Sequence, residues 1–276
     1  MTAIPLTTAE RPLPDFTLQA RLVANEIAKG LRLLWRRRAL SITSMVFFAV
    51  TYLGISLLVG GGHLVKPLLL LTLPAMAAIA VATVASVQGS GGVSEEMNGG
   101  TLEQAQLSQA SPAVQALGRL GALAVEGLVV AIILTVIFSF AVGLHYHPYP
   151  AALIPAALTT LDALGYGLVI AGLTVRVPTI GSITHVINMG LKFFGGMMVP
   201  VTMFPSGIQV FTKFVPTTLG VQALNTTLAG KPLSATWTDG TLPWLLLHVA
   251  VFLGLGFTLY TANIHRARRL GGLSAR

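Results

Sequence analysis

Three of the nine acidic residues of this 276-residue chain stand close together, at Glu95, Glu96 and Glu103. They fall in a Gly- and Ser-rich stretch, Gly91 to Pro112, that holds no Lys or Arg. Thr101 can cap a short helix opening at Leu102, which would present Leu102 and Leu107 with Glu103 beside them; Ser111-Pro112 can start another. Such an acidic helix reads either as a surface docked by a basic partner or as a solvated loop. A second set of ionisable residues, Glu126, Asp162 and Lys192, interrupts long apolar runs, where charge is expensive and usually faces a bundle interior, a partner or a water-filled cavity. Asp162 and Lys192 lie at matching depths, about 20 Å from the expected inner surface at the rise of a helix. They read as a polar point on a substrate path or as an ion pair that sets helix register. Glu126 lies nearer that surface, where hydration or pairing suffices.

Other chemistry is poorly served. Gly60-Gly61-Gly62-His63-Leu64-Val65-Lys66 lacks the Gly before Lys66 and runs into Pro67, so it is not a phosphate-cradling loop. The chain is therefore expected not to hydrolyse ATP itself. His145 and His147 have no third ligand near them in sequence, and no metal site is expected. Cysteine is absent, which removes disulfides and thiolate chemistry. No G-x-S-x-G elbow is present, and Asp15, Asp162 and Asp239 are the only aspartates. No catalytic residue is assigned.

The elements that must carry these residues follow from composition. Hydrophobic residues make up 54% and charged residues 9%, against roughly 25% charged in a soluble domain. The net charge is +8, with 11 of the 17 basic residues placed before the first long apolar run or after the last. That placement argues for a membrane rather than a nucleic acid, and for both termini in the cytoplasm. The N-terminus is too long and too acidic for a cleaved signal, so the chain is expected to be mature from Met1.

Six segments are long enough to cross about 30 Å of hydrocarbon: residues 39–59, 67–86, 122–144, 151–174, 179–203 and 242–261. The predicted architecture is an all-α, multi-pass membrane protein, residues 1–38 forming an N-terminal segment and 39–276 one six-span domain. Thr17 to Arg38 has an apolar stripe at Val23, Ile27, Leu31 and Leu34 with Trp35 beside it, and basic residues mainly off the stripe. This is the pattern of a helix lying in the membrane interface, serving as a surface for a cytoplasmic partner or as a plain lipid anchor. Ala75, Ala78, Ala82 and Ala85 form a small-residue ridge for close helix packing, within the chain or across a dimer seam. Between spans five and six, Pro205 to Asn225 is apolar in patches but broken by Pro205, Gly207, Pro216 and Gly220. It predicts short helices that enter the outer leaflet and return, or an irregular outer loop.

Two stretches resemble the permeases of type-2 ABC exporters, the ABC-2 family of bacterial drug, lipid and polysaccharide exporters. One is Glu95-Glu96 with Gly100-Thr101-Leu102-Glu103, Leu107 and Ser111-Pro112. The other is Gly195-Gly196-Met197-Met198-Val199-Pro200, then Phe204-Pro205, Val215-Pro216-Thr217-Thr218 and Gln222-Ala223-Leu224. The chain departs from the family in having Met97 and Asn98, rather than a basic residue, after the acidic pair.

The resemblance, from about Leu18 to the last span, implies a separate ATP-binding subunit that carries ATP and Mg and grips two places: the interfacial helix, and a coupling helix with Glu95, Glu96, Thr101, Leu102, Glu103 and Leu107. It further implies a second permease chain, identical or not, and re-entrant helices around Pro200, Pro205 and Pro216. The expected function is export of a hydrophobic or amphipathic compound (drug, antibiotic or lipid) across a bacterial inner membrane. This chain would bind no cofactor and no nucleic acid, and would contact membrane lipid. Export of a polysaccharide or glycolipid is the alternative within the family, mildly disfavoured by the 7% aromatic content. A secondary transporter or membrane enzyme working without an ATPase is the alternative outside it.

Overall fold

A computed structural model describes residues 16–102, 111–146, 149–177 and 179–269. The described residues contain helices and connections but no strand. In chain order the helices are α1 (Phe16–Arg36), α2 (Arg38–Val59), α3 (Lys66–Thr83), α4 (Gly89–Asn98), α5 (Pro112–Val142), α6 (Leu153–Thr174), α7 (Ile180–Phe194), α8 (Ser206–Thr212), α9 (Thr218–Leu228), α10 (Leu233–Thr238) and α11 (Thr241–Arg269).

Among the described residues, five helical stretches are long and apolar enough to cross a membrane: Ser41–Val59, Lys66–Asn98, Pro112–Val142, Pro150–Thr174 and Thr241–Ala267. The expected fifth span, 179–203, contains instead the 15-residue α7. At 1.5 Å per residue this is about 22 Å, short of the hydrocarbon thickness. It stops where Gly195 and Gly196 follow, Gly196 at a φ of 89° that favours glycine, and a 3₁₀ turn, Val201–Met203, comes next.

The second span departs from expectation in the other direction. α3 passes through a π turn, Val84–Gln88, directly into α4, giving one helical rod of 33 residues. Glu95 and Glu96 therefore stand on the end of a spanning rod rather than on a separate helix. Pro74 lies inside this rod and contributes no backbone N–H. The Leu70 carbonyl that an ordinary residue at 74 would have engaged accepts instead from the Tyr146 hydroxyl at 3.0 Å. Next to it, the Asn225 amide donates to the Leu71 carbonyl at 3.0 Å. α5 starts as expected, with Ser111 Oγ accepting from Val114 N and Pro112 in the first turn.

α6 is the centre of the bundle, packing against α11, α3, α4 and α9. Its glycines allow this: a Cβ on Gly165 would lie 2.9 Å from the α11 backbone, one on Gly172 2.8 Å, and one on Gly167 2.5 Å from the Ala85 methyl. Small residues let helix backbones approach where lipid gives no hydrophobic drive for association. The alanine ridge of α3 is buried within the chain by the same packing. Around it, among the described residues, lie three apolar cores, one containing Tyr52, Met76, Leu134 and Tyr166, another Val93, Leu120, Leu168 and Tyr260, and a smaller one Leu219, Leu242, Leu245 and Val249.

Candidate functional site

The acidic pair is gathered into a charged junction at the α1 end of the bundle. α1 packs along α5 through missing side chains: Cβ atoms on Gly118 and Gly121 would meet Glu26 and Ile27 at 2.2 and 2.7 Å, and one on Gly30 would meet Ala122 at 2.4 Å. Of the predicted stripe, Val23, Ile27 and Leu31 are half-buried. Trp35 is 70% exposed, with the Arg38 guanidinium 5.1 Å from its ring. This docking brings bases from three elements onto the end of the α3–α4 rod. Arg37 pairs with Glu95, Arg119 of α5 pairs with Glu96, and Lys29 lies 3.7 Å from both Glu96 and Glu26. Gly92, one turn before Glu96, leaves the space that the Arg119 guanidinium fills.

The stretch that carries no base of its own is thus neutralised from elsewhere in the chain. Three carboxylates meet three cations. Glu96 is only 19% exposed, whereas the Glu95 side chain is 55% exposed, so Glu95 alone of the described acids on α4 is turned outward. The Thr101 hydroxyl donates back to the Glu96 carbonyl at 3.3 Å, and the residues that it would cap lie outside the described ones. Leu102, expected on the presented face, is 1% exposed and belongs to the core with Val93 and Leu120. An apolar side chain there gains more from its own core than from standing in water. Glu103 and Leu107 lie outside the described residues, as does His147.

Asp162 and Lys192 are not brought together. Asp162 is completely buried; its Oδ2 accepts from Thr217 N at 2.7 Å and its Oδ1 lies 3.0 Å from His248 Nδ1 on α11. Lys192 points the other way, its ammonium 5.0 Å from the Phe48 ring on α2. The two side chains engage different elements, Asp162 the turn before α9 and α11, Lys192 α2. One turn from each residue, Tyr166 of α6 donates to Asn188 of α7 at 3.1 Å. Asn188 also donates to Ser86 at 2.9 Å, tying α6 and α7 to the π turn. Glu126 accepts from the Ser41 hydroxyl at 2.9 Å.

His248, Thr217, Ser86, Asn188 and Tyr166 escaped the sequence reading. His248 and Asn188 carried a usable signal, being polar residues inside apolar runs. Thr217 stood only in the proline-spaced stretch that carries the resemblance, with no role assigned to it; its φ of 72° is the one positive value of a non-glycine among the described residues. It stands just before α9, held there by Asp162.

Pro205 stands at the start of α8, Pro200 before the 3₁₀ turn, and Pro216 beside Thr217. The segment is thus two short helices rather than a straight span. α9 lies close on α6, a Cβ on Gly220 coming 2.0 Å from the Thr159 hydroxyl. Between α3, α5, α6 and α9 is a largely apolar cavity of ≈350 Å³, lined by Leu73, Ala77, Val81, Leu128, Thr160 and Leu224 among others.

A protein-family model described as ABC-2 type transporter matches residues 25–228, which include the charged junction, the α3–α4 rod and the segment up to the end of α9. No curated protein matches the chain.

Proposed function

The chain belongs to the ABC-2 type transporter family, and from that premise we propose that it is the membrane-spanning permease subunit of an ATP-driven exporter, working with a separate ATP-binding subunit. The observation that carries this reading is the unbroken Lys66–Asn98 rod. Its first half lines the apolar cavity with Leu73, Ala77 and Val81, and its far end carries Glu95 and Glu96 in the charged junction. A displacement imposed at the junction would reach the cavity along one helix.

In this proposal the ATP-binding subunit holds α1 and the turn after α4, and it carries the nucleotide and Mg. Closure of that subunit on ATP would favour one packing of the permease and its release the other; only contacts that differ between the two states can drive the exchange. The substrate is a hydrophobic or amphipathic compound of drug or lipid type, which fits an apolar cavity with a few hydroxyls. Two permease chains, identical or different, form the path. α7 together with residues 195–203 makes a sixth, irregular crossing; α8 and α9 enter the outer leaflet and return; both termini lie in the cytoplasm of a bacterial cell.

The test is co-purification of the ATP-binding subunit from the native membrane. Glu95→Lys reverses the outward-turned charge and should lower the recovered ATPase severalfold with membrane insertion unchanged. Recovery unaltered by Glu95→Lys, and also by joint replacement of Glu95, Glu96 and Glu103, would overturn the assignment of this face.

A further inference from the structure

Among the described residues one buried carboxylate oxygen is without a hydrogen-bond partner, Oε2 of Glu126. Its companion Oε1 accepts from the Ser41 hydroxyl at 2.9 Å, and Ser41 stands one turn after Arg37, its N–H donating to the Arg37 carbonyl at 3.2 Å. Arg37 is therefore close by. Its charge acts on the Glu126 carboxylate without forming an ion pair with it, and its guanidinium is turned instead to Glu95. There is room for it to move: Arg37 lines a cavity of ≈310 Å³ together with Glu95, Leu123 and Ala122, which lies one turn before Glu126 on α5.

The two seats for the guanidinium are closely matched. With Glu95 it keeps part of its hydration, the Arg37 side chain being 33% exposed, and an exposed pair of this kind gains little. With Glu126 it would give up that water for a carboxylate that is itself desolvated, so attraction and desolvation would nearly cancel, while an unmet buried acceptor would be satisfied. Loss of Glu95 as a partner is then enough to decide between them.

We propose that Glu126 is the second seat of Arg37: when a basic partner takes Glu95, the guanidinium turns inward to Glu126 Oε2. Arg37 is the link between α1 and α2, and α2 holds the least buried of the five long apolar stretches. The exchange thus carries the occupancy of the outward-turned acid to the start of the helix least held by its neighbours. Glu126 acts in this through Arg37, as a positioning residue. That the basic partner is the ATP-binding subunit rests on the function proposed above; the exchange itself involves this chain alone.

Dicyclohexylcarbodiimide, an apolar reagent for buried carboxyl groups that have no ionic partner, reads which seat is filled. The full chain in phosphatidylcholine nanodiscs, without the ATP-binding subunit, should be labelled at Glu126, as mapped by mass spectrometry. Glu95→Gln, which frees Arg37, should lower that labelling about ten-fold, the factor that one hydrogen bond to a charged group is worth. Adding Arg37→Gln to Glu95→Gln should restore it, a recovery that a merely structural Glu126 would not give. Labelling absent from the wild-type chain, equal in wild-type and Glu95→Gln protein, or still low in the double variant would overturn the proposal. Binding of the ATP-binding subunit to the wild-type chain should lower labelling as Glu95→Gln does. A fall with Glu95→Gln but none with the bound subunit would support the exchange and count against Glu95 as that subunit's contact.

Discussion

The junction around Glu95 and Glu96 and the site around Asp162 both hold carboxylates, and they hold them by opposite means. At the junction, cations from α1, the α1–α2 link and α5 converge on partly exposed acids, so each acid has an ionic partner and Glu96 has two. Asp162 has no Lys or Arg partner among the described residues; its own side chain is fully buried, and a backbone N–H and a largely buried imidazole satisfy it. Exposed ion pairs contribute little net stability and re-pair readily, whereas removing one partner of a buried polar set leaves the others desolvated and unmatched. The junction is therefore built to exchange contacts and the Asp162 site to keep them.

The largest effect expected from this contrast is at Asp162. Asp162→Ala strands Thr217 N, the turn before α9 and His248 together, and should cost about 3 kcal/mol. Fluorescence-detected size-exclusion of the heated protein reads this, and Asp162→Asn, which keeps an acceptor for Thr217 N, should recover more than half the loss. Near-wild-type behaviour of the alanine variant would remove the distinction between the two regions.

An intermediate effect is expected where the junction is most enclosed. Arg119→Met leaves Glu96 partly buried with only Lys29, a loss of about 2 kcal/mol, while the double variant Arg119→Met, Glu96→Gln should be less destabilised than Arg119→Met alone. Simple additivity in the same assay would mean that the pair is not a unit. At the rim the effect vanishes: Glu95→Gln should change stability by no more than about 0.5 kcal/mol, and a larger loss would show that Glu95 holds the fold rather than facing outward.

The legibility of these regions from sequence differs for a physical reason. Apolar length and the placement of basic residues report on lipid directly, so the membrane helices on either side of α7 were readable, as were the amphipathic α1 and the Ser111-Pro112 start of α5. Both sets of charged residues were also found. Their partners were not, because Arg119 reaches Glu96, and His248 reaches Asp162, only after glycines on α5, α4 and α6 let backbones approach closely. A glycine gives no hydropathy signal. Leu102 was misread for a related cause: an apolar side chain in a polar stretch looks presented until the core that receives it is known. The end of α7 at Gly195-Gly196 fell inside an apolar run, where hydropathy cannot see a break.

The π turn at Val84–Gln88 gives the α3–α4 rod one residue more than its length requires. Each residue of an α-helix turns the chain by about 100°, and a π turn absorbs an added residue without passing that rotation on. Loss of a single residue from Val84–Gln88 would thus leave Leu73, Ala77 and Val81 facing one cavity and Gly92 and Glu96 facing Arg119. Loss of one residue elsewhere between Val81 and Gly92 would swing the acids a quarter-turn or more from their partners. Between the cavity and the junction the rod tolerates a change in length at one place, and at that place Ser86 is bonded to Asn188.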